Sequence, residues 1–226
     1  MNLSVIVITN KEKLNEHFLE FLKFGDELII EYSKTLESFA EKRNKAIAKA
    51  KGDWVLFVDD DEIVSRQLAE EILQVTKSPK YSGFNLKRID TVFNEEQKYG
   101  EVGNIKILRL AKKKAGEFKR GVHEVWKING KTKTLKNPLY HIKDSFISEF
   151  ISRMSFYGPL DAVSLKLEGK NFSYTKILLF PLGKFAYNYF VKQGFRDGYP
   201  GLFLSYLMSI QSLSVRIFQK ELNEAN

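Results

Sequence analysis

The sequence predicts an α/β domain followed by a helical extension, and three observations lead to this fold class. Short apolar runs alternate with segments of helical period over residues 3–75. Strand-like segments without helices between them then follow as far as residue 135. The last 81 residues hold 16 of the 30 aromatic side chains, which marks a change of character. We therefore expect an α/β domain over residues 1–145 and a helical extension over residues 146–226.

Three apolar runs early in the chain are typical of buried strands: residues 3–8, 27–30 and 54–58. Alternating strands and helices build a parallel sheet with helices on both faces, and ligands bind at the carboxyl ends of its strands. Ser65 is a suitable N-cap for the third helix, and Gly52 suits the position just beyond the second. The apolar positions that predict the three helices are Leu14, Phe18, Phe21 and Leu22, then Leu36, Phe39, Ala40, Ile47 and Ala50, then Leu68, Ile72 and Val75.

The middle of the chain has the pattern of an antiparallel sheet. Two neighbouring residues, Asn129 and Gly130, separate the last two predicted strands, and this dipeptide favours a two-residue turn. We therefore predict a β-hairpin at Asn129-Gly130. The predicted strands of this part are residues 83–89, 105–110, 122–128 and 131–135.

Basic residues are concentrated in one part of the chain. The formal net charge is +8, and residues 104–143 alone carry a net charge of +10. Such a block attracts phosphate-bearing partners, namely nucleic acid, anionic lipid or a phosphorylated substrate, although a lysine-rich surface hairpin explains it equally well. The chain has no Cys, which excludes disulfides, thiolate metal sites and a Cys nucleophile.

The two ends of the chain bear on where the protein resides. The N-terminus lacks the basic region and apolar core of a signal peptide, and no window holds ~18 uninterrupted apolar residues. We therefore expect a cytoplasmic protein.

Residues 177–218 combine apolar and aromatic residues with Lys and Arg, which predicts contact with an anionic membrane surface without crossing. Packing on the α/β domain, or on another subunit of a homo-oligomer, is an equally good interpretation.

Three carboxylates, Asp59, Asp60 and Asp61, directly follow the third predicted strand. At the carboxyl edge of a sheet these charges need a cation, because uncompensated burial of charge is costly. Oxygen ligands favour Mg²⁺ or Mn²⁺, and such an ion is usually shared with substrate phosphates. The cluster therefore predicts a metal site, and the alternative is an acidic loop that caps the next helix.

Arg43 lies on the otherwise apolar stripe of the second predicted helix, three residues from Ala40 and four from Ile47. We expect its side chain to point inward or toward the strand ends. A half-buried guanidinium needs an acidic or phosphate partner there. A structural salt bridge and a contact to a bound phosphate both meet this need.

Glu124 and two histidines complete the candidate chemistry. Glu124 lies beside His123 within the basic block, and a carboxylate in this position is a candidate general base. From the residues alone, a His-Glu pair of this kind is more often incidental. His141 is one of three histidines in the chain. It is a candidate metal ligand, and a role in the core explains it as well.

Taken together, these residues resemble family 2 glycosyltransferases, which have the GT-A fold. Three downstream segments further resemble the bacterial branch that includes the glucosyltransferases of the lipopolysaccharide inner core. The resemblance covers nearly the whole chain. The segments that carry it are residues 4–10 (SVIVITN), Arg43-Asn44 and residues 51–62 (KGDWVLFVDDDE), and downstream residues 118–124 (FKRGVHE), 140–142 (YHI) and 194–201 (GFRDGYPG).

The resemblance implies a metal-dependent, inverting transfer of a sugar, with glucose from UDP-glucose as the expected donor. The implied acceptor is the lipopolysaccharide core or another lipid-linked or phosphorylated glycan, reached at the cytoplasmic face of the inner membrane. Glu124 would be the catalytic base, and Asp59, Asp61 and His141 would bind Mg²⁺ or Mn²⁺. The implied donor-binding residues are Thr9, Asn10, Glu31, Arg43, Asn44 and Asp60, and the implied acceptor-binding residues are Arg120, His123 and Arg196.

One segment departs from the family pattern. The family usually ends its second strand with an Asp that binds the nucleotide base or ribose, followed by a Ser/Gly/Thr-rich turn and a further short helix and strand. Here the second strand continues as Glu31-Tyr32-Ser33, and the stretch after it is shorter. Glu31 is the candidate replacement for that Asp.

Two other functions fit part of the pattern. A nucleotidyltransferase also places carboxylates and Mg²⁺ at the end of a sheet, but no Gly-rich phosphate loop followed by Lys lies near the first strand. A basic nucleic-acid-binding module would account for the charge, but no recognised nucleic-acid motif lies near the basic block. We therefore expect an enzyme without a nucleic-acid partner.

Overall fold

The chain forms two compact units. The first contains residues 1–89 and 105–142, and the second contains residues 90–104 and 143–226. The second unit thus includes residues 90–104, which the sequence analysis assigned to the α/β domain. The computed structural model describes residues 2–32, 39–78, 80–119, 125–142 and 146–224.

A parallel core of three strands lies in the first unit: β1 (Leu3–Thr9), β2 (Glu27–Tyr32) and β3 (Trp54–Asp59). β1 lies between the other two strands and pairs with both of them in parallel. Ile8 stands opposite Glu31 on one side and Asp59 on the other. The carboxyl ends of the three strands therefore meet at one edge, as the sequence predicted.

Three helices belong to this part of the chain: α1 (Glu16–Phe21), α2 (Phe39–Lys49) and α3 (Arg66–Val75). The prediction that Ser65 caps α3 is confirmed, because its hydroxyl accepts a hydrogen bond of 3.2 Å from the backbone N–H of Leu68. This bond satisfies one of the free N–H groups at the start of the helix.

Apolar clusters cover both faces of the sheet, because successive side chains of a strand point to opposite sides. Val5 of β1 packs with Leu68 of α3 in one cluster. The neighbouring Ile6 packs with Ala46 of α2 in the other. The predicted arrangement of helices on the two faces of the sheet is therefore confirmed.

The sheet continues beyond β3 with strands that pair mostly in antiparallel fashion. In the described chain these further strands are β4 (Glu62–Val64), β5 (Gly83–Val92), β6 (Glu95–Glu96), β7 (Ile105–Lys112), β10 (Thr132–Thr134) and β11 (Leu139–Ile142). β7 pairs with β3 and with β5, and β11 pairs with β4. The order across the sheet is β2-β1-β3-β7-β5-β11-β4, with β6 and β10 beside β5.

Two more strands, β8 (Gly116–Lys119) and β9 (Val125–Ile128), form a separate antiparallel pair. The predicted β-hairpin at Asn129-Gly130 is wrong, because β9 pairs with β8 whereas β10 pairs in parallel with β5. Gly130 has φ 102°, and a Cβ atom there would come within 2.2 Å of the Ser82 hydroxyl. The glycine lets the chain pass close to Ser82 and join β5 instead of folding back on β9.

The second unit is built on three long helices: α4 (Phe146–Leu167), α5 (Tyr174–Ala186) and α6 (Gly198–Glu224). α6 packs against both α4 and α5. At its N-terminal half, Leu204 and Leu207 are buried with Val92 at the end of β5. The helical extension predicted from the sequence is therefore confirmed.

By length and composition alone, one helical segment of the described chain, Gly194–Glu224, is long and apolar enough to cross a membrane. The sequence analysis expected this region to contact a membrane without crossing it. In the second unit the segment is the central helix, and polar Ser205 and Gln219 are buried on it beside the apolar residues.

Candidate active site

The candidate site begins at the carboxyl ends of β1 and β3. Because Ile8 pairs with Asp59, the next residues, Thr9 and Asp60, lie side by side. The Thr9 hydroxyl donates a hydrogen bond to one carboxylate oxygen of Asp60. The ammonium of Lys11 lies 3.3 Å from the other oxygen. Two predicted donor-binding residues are thus brought together, with an exposed cation beside them.

Asp61 contacts His141, which lies near the C-terminal end of the first unit. β11 pairs with β4 so that His141 stands opposite Glu62, and the N–H of Ile142 donates a hydrogen bond of 3.1 Å to the carbonyl of Asp61. This pairing places His141 Nε2 3.0 Å from Asp61 Oδ2. The His141 side chain is buried, whereas the Asp61 side chain is partly exposed. A ligand from solvent can therefore reach the pair from the Asp61 side.

Asp59 is partly exposed and binds two buried arginines. Its Oδ1 accepts a hydrogen bond of 3.2 Å from Arg43, and its Oδ2 accepts another from Arg109. Burial works to raise the pKa of Asp59, but the charges of Arg109 and Arg43 and their hydrogen bonds outweigh it. The pKa of Asp59 is therefore held well below its usual range, and the carboxylate stays ionised.

Glu62 completes the buried charge network and is fully enclosed. One of its oxygens lies 3.2 Å from Arg109, and the other accepts a hydrogen bond of 2.9 Å from the backbone N–H of Asp59. Burial, followed by repulsion from Asp59, raises the pKa of Glu62 despite the charge of Arg109. The Glu62 carboxylate thus stabilises the turn between β3 and β4 through its hydrogen bond to the backbone of Asp59.

The metal-binding role of Asp59 stays a prediction, and in this structure two arginines bind its carboxylate. Both of its oxygens already accept hydrogen bonds from guanidinium groups, so a cation would have to displace Arg43 or Arg109. The sequence analysis offered two alternatives for Arg43, and the structure shows the salt bridge. Arg43 is buried, and its guanidinium lies 5.0 Å from the centre of the Phe57 ring.

Asp61 and His141 are also spaced to fit a divalent cation. Asp61 Oδ2 and His141 Nε2 form a hydrogen bond of 3.0 Å, and two donors each ~2.1 Å from an octahedral ion have about the same separation, so an ion would replace this contact. Within the described residues no group of three or more His, Asp or Glu side chains is placed to hold a metal. The pair therefore suits an ion that takes its other ligands from substrate phosphates and water, as Mg²⁺ commonly does.

Asn44 has a structural role that the sequence analysis did not predict. Its side chain accepts a hydrogen bond of 2.8 Å from the N–H of Phe118 and donates one of 2.9 Å to the carbonyl of the same residue. Both polar groups of the amide therefore fasten α2 to β8. The predicted contact of Asn44 with the donor stays a prediction, since the structure shows both polar groups of its side chain bound to Phe118.

The predicted base and two of the predicted acceptor residues, Glu124, His123 and Arg120, lie outside the described residues. The strands on either side of them are described, and Lys119 of β8 stands opposite Val125 of β9. Next to this end of the pair, the rings of Phe118 and Trp126 stack with their centres 4.9 Å apart, and both rings pack edge-on against Phe57 of β3.

Three other predicted residues lie at strand ends or in the second unit. Asn10 is exposed and directly follows β1. Glu31 is the last residue but one of β2, beside Ile8, and forms an ion pair of 2.5 Å with Lys49 of α2. Arg196 belongs to the second unit, where its guanidinium lies 4.3 Å from the centre of the Tyr99 ring and donates a hydrogen bond of 3.0 Å to Gln193.

The sequence analysis missed Lys11, Glu62 and Arg109 as members of the site. Arg109 carried a usable signal, because it is a single charge inside the apolar run Ile107-Leu108-Arg109-Leu110-Ala111. A buried arginine in a strand needs a carboxylate partner, and the nearby acidic cluster supplies two. Lys11 and Glu62 gave no such signal beyond their closeness in sequence to Thr9 and Asp61.

Comparison with known proteins identifies the family of the chain. The family model described as Glycosyl transferase family 2 matches residues 2–138. An uncharacterized glycosyltransferase of Rickettsia typhi is 23% identical over 210 residues, which cover 87% of this chain and 70% of the relative. The structure of S. aureus TarS in complex with UDP-GlcNAc is 14% identical with a TM-score of 0.45, covering 100% of this chain and 93% of that chain.

A second structural likeness is to the bifunctional IspDF of Campylobacter jejuni, which is 14% identical with a TM-score of 0.40. The match covers 61% of this chain and half of that protein. The family match itself covers more than half of the present chain. This family match favours a glycosyltransferase over the two alternatives considered from the sequence, a nucleotidyltransferase and a nucleic-acid-binding module. The chain belongs to glycosyltransferase family 2, has the GT-A fold and is a glycosyltransferase.

Proposed function

We propose that this glycosyltransferase moves a sugar from a nucleoside-diphosphate donor to a hydroxyl of a phosphorylated or lipid-linked glycan, with inversion and with the help of Mg²⁺ or Mn²⁺. The observation that carries the proposal is the pair of Asp61 and His141 at the carboxyl edge of the sheet in a family 2 chain. UDP-glucose as donor and the lipopolysaccharide core as acceptor follow from the sequence resemblance described above.

The donor is proposed to lie at the edge where β1, β2 and β3 end. Lys11 carries an exposed positive charge beside Asp60, which suits a diphosphate that approaches this edge. Thr9 fixes the orientation of Asp60 through its hydroxyl. Asn10 and Glu31 lie next to the ends of neighbouring strands and are proposed to contact the nucleoside.

A divalent cation held by Asp61 and His141 would supply positive charge to the diphosphate as it leaves. The chain itself must remove a proton from the acceptor, and we assign this step to Glu124 from its sequence motif. The acceptor oxygen bonds to the anomeric carbon while its proton passes to the Glu124 carboxylate. The bond from that carbon to the diphosphate oxygen breaks, and the nucleoside diphosphate leaves with the electron pair. Attack from the opposite face inverts the anomeric carbon.

The acceptor side is proposed to include Arg120, His123 and Arg196. Arginines bind phosphate through two parallel hydrogen bonds, which suits a phosphorylated glycan. His123 precedes the proposed base directly in the sequence.

The proposal is tested by the metal dependence of donor binding in Asp61→Asn. We expect UDP-glucose with Mn²⁺ to raise the melting temperature of the wild type, because a ligand that binds only the folded state stabilises it. Asp61→Asn should lose the Mn²⁺-dependent part of this shift, with donor affinity at least about tenfold weaker. Asp53→Asn is the matched control, since Asp53 is exposed at the opposite end of the same strand. A variant that keeps the full Mn²⁺-dependent shift would contradict the proposal.

A further inference from the structure

One side of α5 is exposed and apolar along its whole length. It continues into the π-helical turn Tyr187–Val191 that follows the helix. We call this surface the α5 face. It extends over ~20 Å, the length of a helical stretch of this size, and none of its side chains is charged. Its members are Leu178, Leu179, Leu182, Gly183, Ala186, Tyr187, Phe190 and Val191, all of them exposed.

The exposure of this face is large for side chains of this type. The five larger aliphatic and Phe residues, Leu178, Leu179, Leu182, Phe190 and Val191, are each 61–67% exposed. They lie in two adjacent rows spaced by about one helical turn, so they form a continuous surface. A contiguous apolar patch of this kind on a folded protein marks a binding surface.

The face belongs to a unit that is unusually apolar on its outside. Of the 25 large apolar side chains exposed in the described chain, 19 lie in the second unit, which has fewer than half of the residues. The first unit, by contrast, buries most of its apolar side chains in the two clusters that cover its sheet. The excess is therefore a local property of the helical unit.

Basic residues outnumber acidic residues in the segment of the chain that carries the α5 face. Residues 170–196 contain five Lys or Arg and no Asp or Glu. Lys176 lies near the start of α5, and Lys192 directly follows the π-helical turn, with its ammonium 5.4 Å from the centre of the Tyr187 ring. Lys184 turns to the other side and pairs with Glu101 at 2.6 Å. The face is thus apolar along its length and positively charged at both ends.

We propose that the α5 face is a docking surface for an anionic lipid bilayer, in which the helix lies parallel to the bilayer plane at the depth of the head groups. Leucine and phenylalanine side chains would enter the acyl boundary, while Lys176 and Lys192 would reach the phosphates of the lipid head groups. A second copy of the chain is a poorer occupant, because two copies related by a two-fold axis would face each other without any carboxylate to offset the lysines.

The absence of Cys from the chain makes a direct test possible, because a single introduced Cys can be labelled alone. We would label Leu182→Cys in the full chain with a dye whose emission rises in an apolar environment. Leu73→Cys on the exposed side of α3 in the first unit is the matched control. With phosphatidylcholine vesicles that contain phosphatidylglycerol, emission should rise for the label at position 182 and stay unchanged at position 73. No rise at position 182, or an equal rise at both, would overturn the proposal.

A second measurement uses sedimentation of the protein with the same vesicles. Leu178→Glu combined with Leu182→Glu should weaken partitioning at least tenfold, because two apolar side chains would no longer be buried. Leu73→Glu should partition as the wild type does, and melting curves would verify that all three chains fold. Lys176→Gln with Lys192→Gln should reduce binding to anionic vesicles only. A soluble dimer that the Leu substitutions dissociate, without any vesicle binding by the wild type, would assign the face to a second copy and refute the lipid proposal.

Discussion

At the scale of single residues, the four successive acidic residues after the third strand divide into two pairs. Asp59 and Glu62, which we call the inner pair, share the buried Arg109, and Asp59 also binds the buried Arg43. Asp60 and Asp61, the outer pair, contact Thr9 and His141 instead. The inner pair fixes the turn, and the outer pair is thereby presented at the edge of the sheet. In the structure two arginines neutralise the inner carboxylates.

Replacement of Arg109 tests this division. In Arg109→Met, the fully buried Glu62 loses its guanidinium partner and Asp59 keeps only Arg43, and we expect the free energy of unfolding to fall by about 3–5 kcal/mol. Urea unfolding followed by circular dichroism measures the change. Arg66→Met is the control, because Arg66 forms an exposed ion pair with Glu70 on α3 that contributes little. If the two variants were equally stable, Arg109 would not hold the inner pair.

The sequence allowed the inward direction of Arg43 to be predicted but not the partners of Asp59. Arg43 lies on an apolar helical stripe, and that pattern is local. Arg109 lies 50 residues from Asp59 in the chain. It reaches the cluster because β7 pairs with β3, and pairing between distant strands leaves little trace in a single sequence. The sequence therefore predicted a metal as the cation near Asp59, and its arginine partners became evident only from the structure.

At the scale of elements, α2 is hydrogen-bonded to β8, which is one of the two strands that flank the proposed base in the sequence. Asn44 makes two hydrogen bonds with Phe118, which lies just before residues 120–124. Lys113 adds a second link, since its ammonium contacts the carbonyl of Ala48 near the end of α2 at 3.3 Å. Part of the basic block therefore serves the fold.

Asn44→Ala removes the first of these links. We expect a loss of about 1–3 kcal/mol in stability from two hydrogen bonds. We also expect kcat to fall at least about tenfold while KM for the donor changes little, because a displaced β8 would move the proposed base and not the donor site. Steady-state kinetics with Asn129→Ala as control, an exposed Asn at the other end of the β8–β9 pair, measures this. A rise in KM with unchanged kcat would instead assign Asn44 to the donor.

Strand positions were more predictable than strand partners. Val, Ile and Phe runs predicted β1, β2, β3, β5 and β7, because buried strands have this composition. The dipeptide Asn129-Gly130 indicated a turn, and the turn exists, but the strand after it joins β5. β4 and β11 are only three and four residues long, and they are stabilised by pairing with each other. Their role in placing His141 could not be predicted from local pattern.

At the scale of the whole molecule, the chain combines a parallel-sheet unit with a helical unit whose outside is apolar. Composition alone predicted the helical character of the C-terminal part. It did not predict that residues 90–104 belong to the same unit, because this depends on Val92 packing with Leu204 and Leu207 across a long stretch of sequence. The two units divide the proposed tasks, with donor chemistry in the first and membrane contact in the second.

The central claim is that Asp61 and His141 hold a divalent cation against the diphosphate of the donor. Anomalous diffraction at the manganese absorption edge, from crystals grown with Mn²⁺ and UDP-glucose, tests it most directly. We predict a single strong anomalous peak in contact with Asp61 Oδ2 and His141 Nε2, with Asp59 still bound to its two arginines. A peak at Asp59, or a bound donor with Asp61 turned to bulk solvent, would contradict the account.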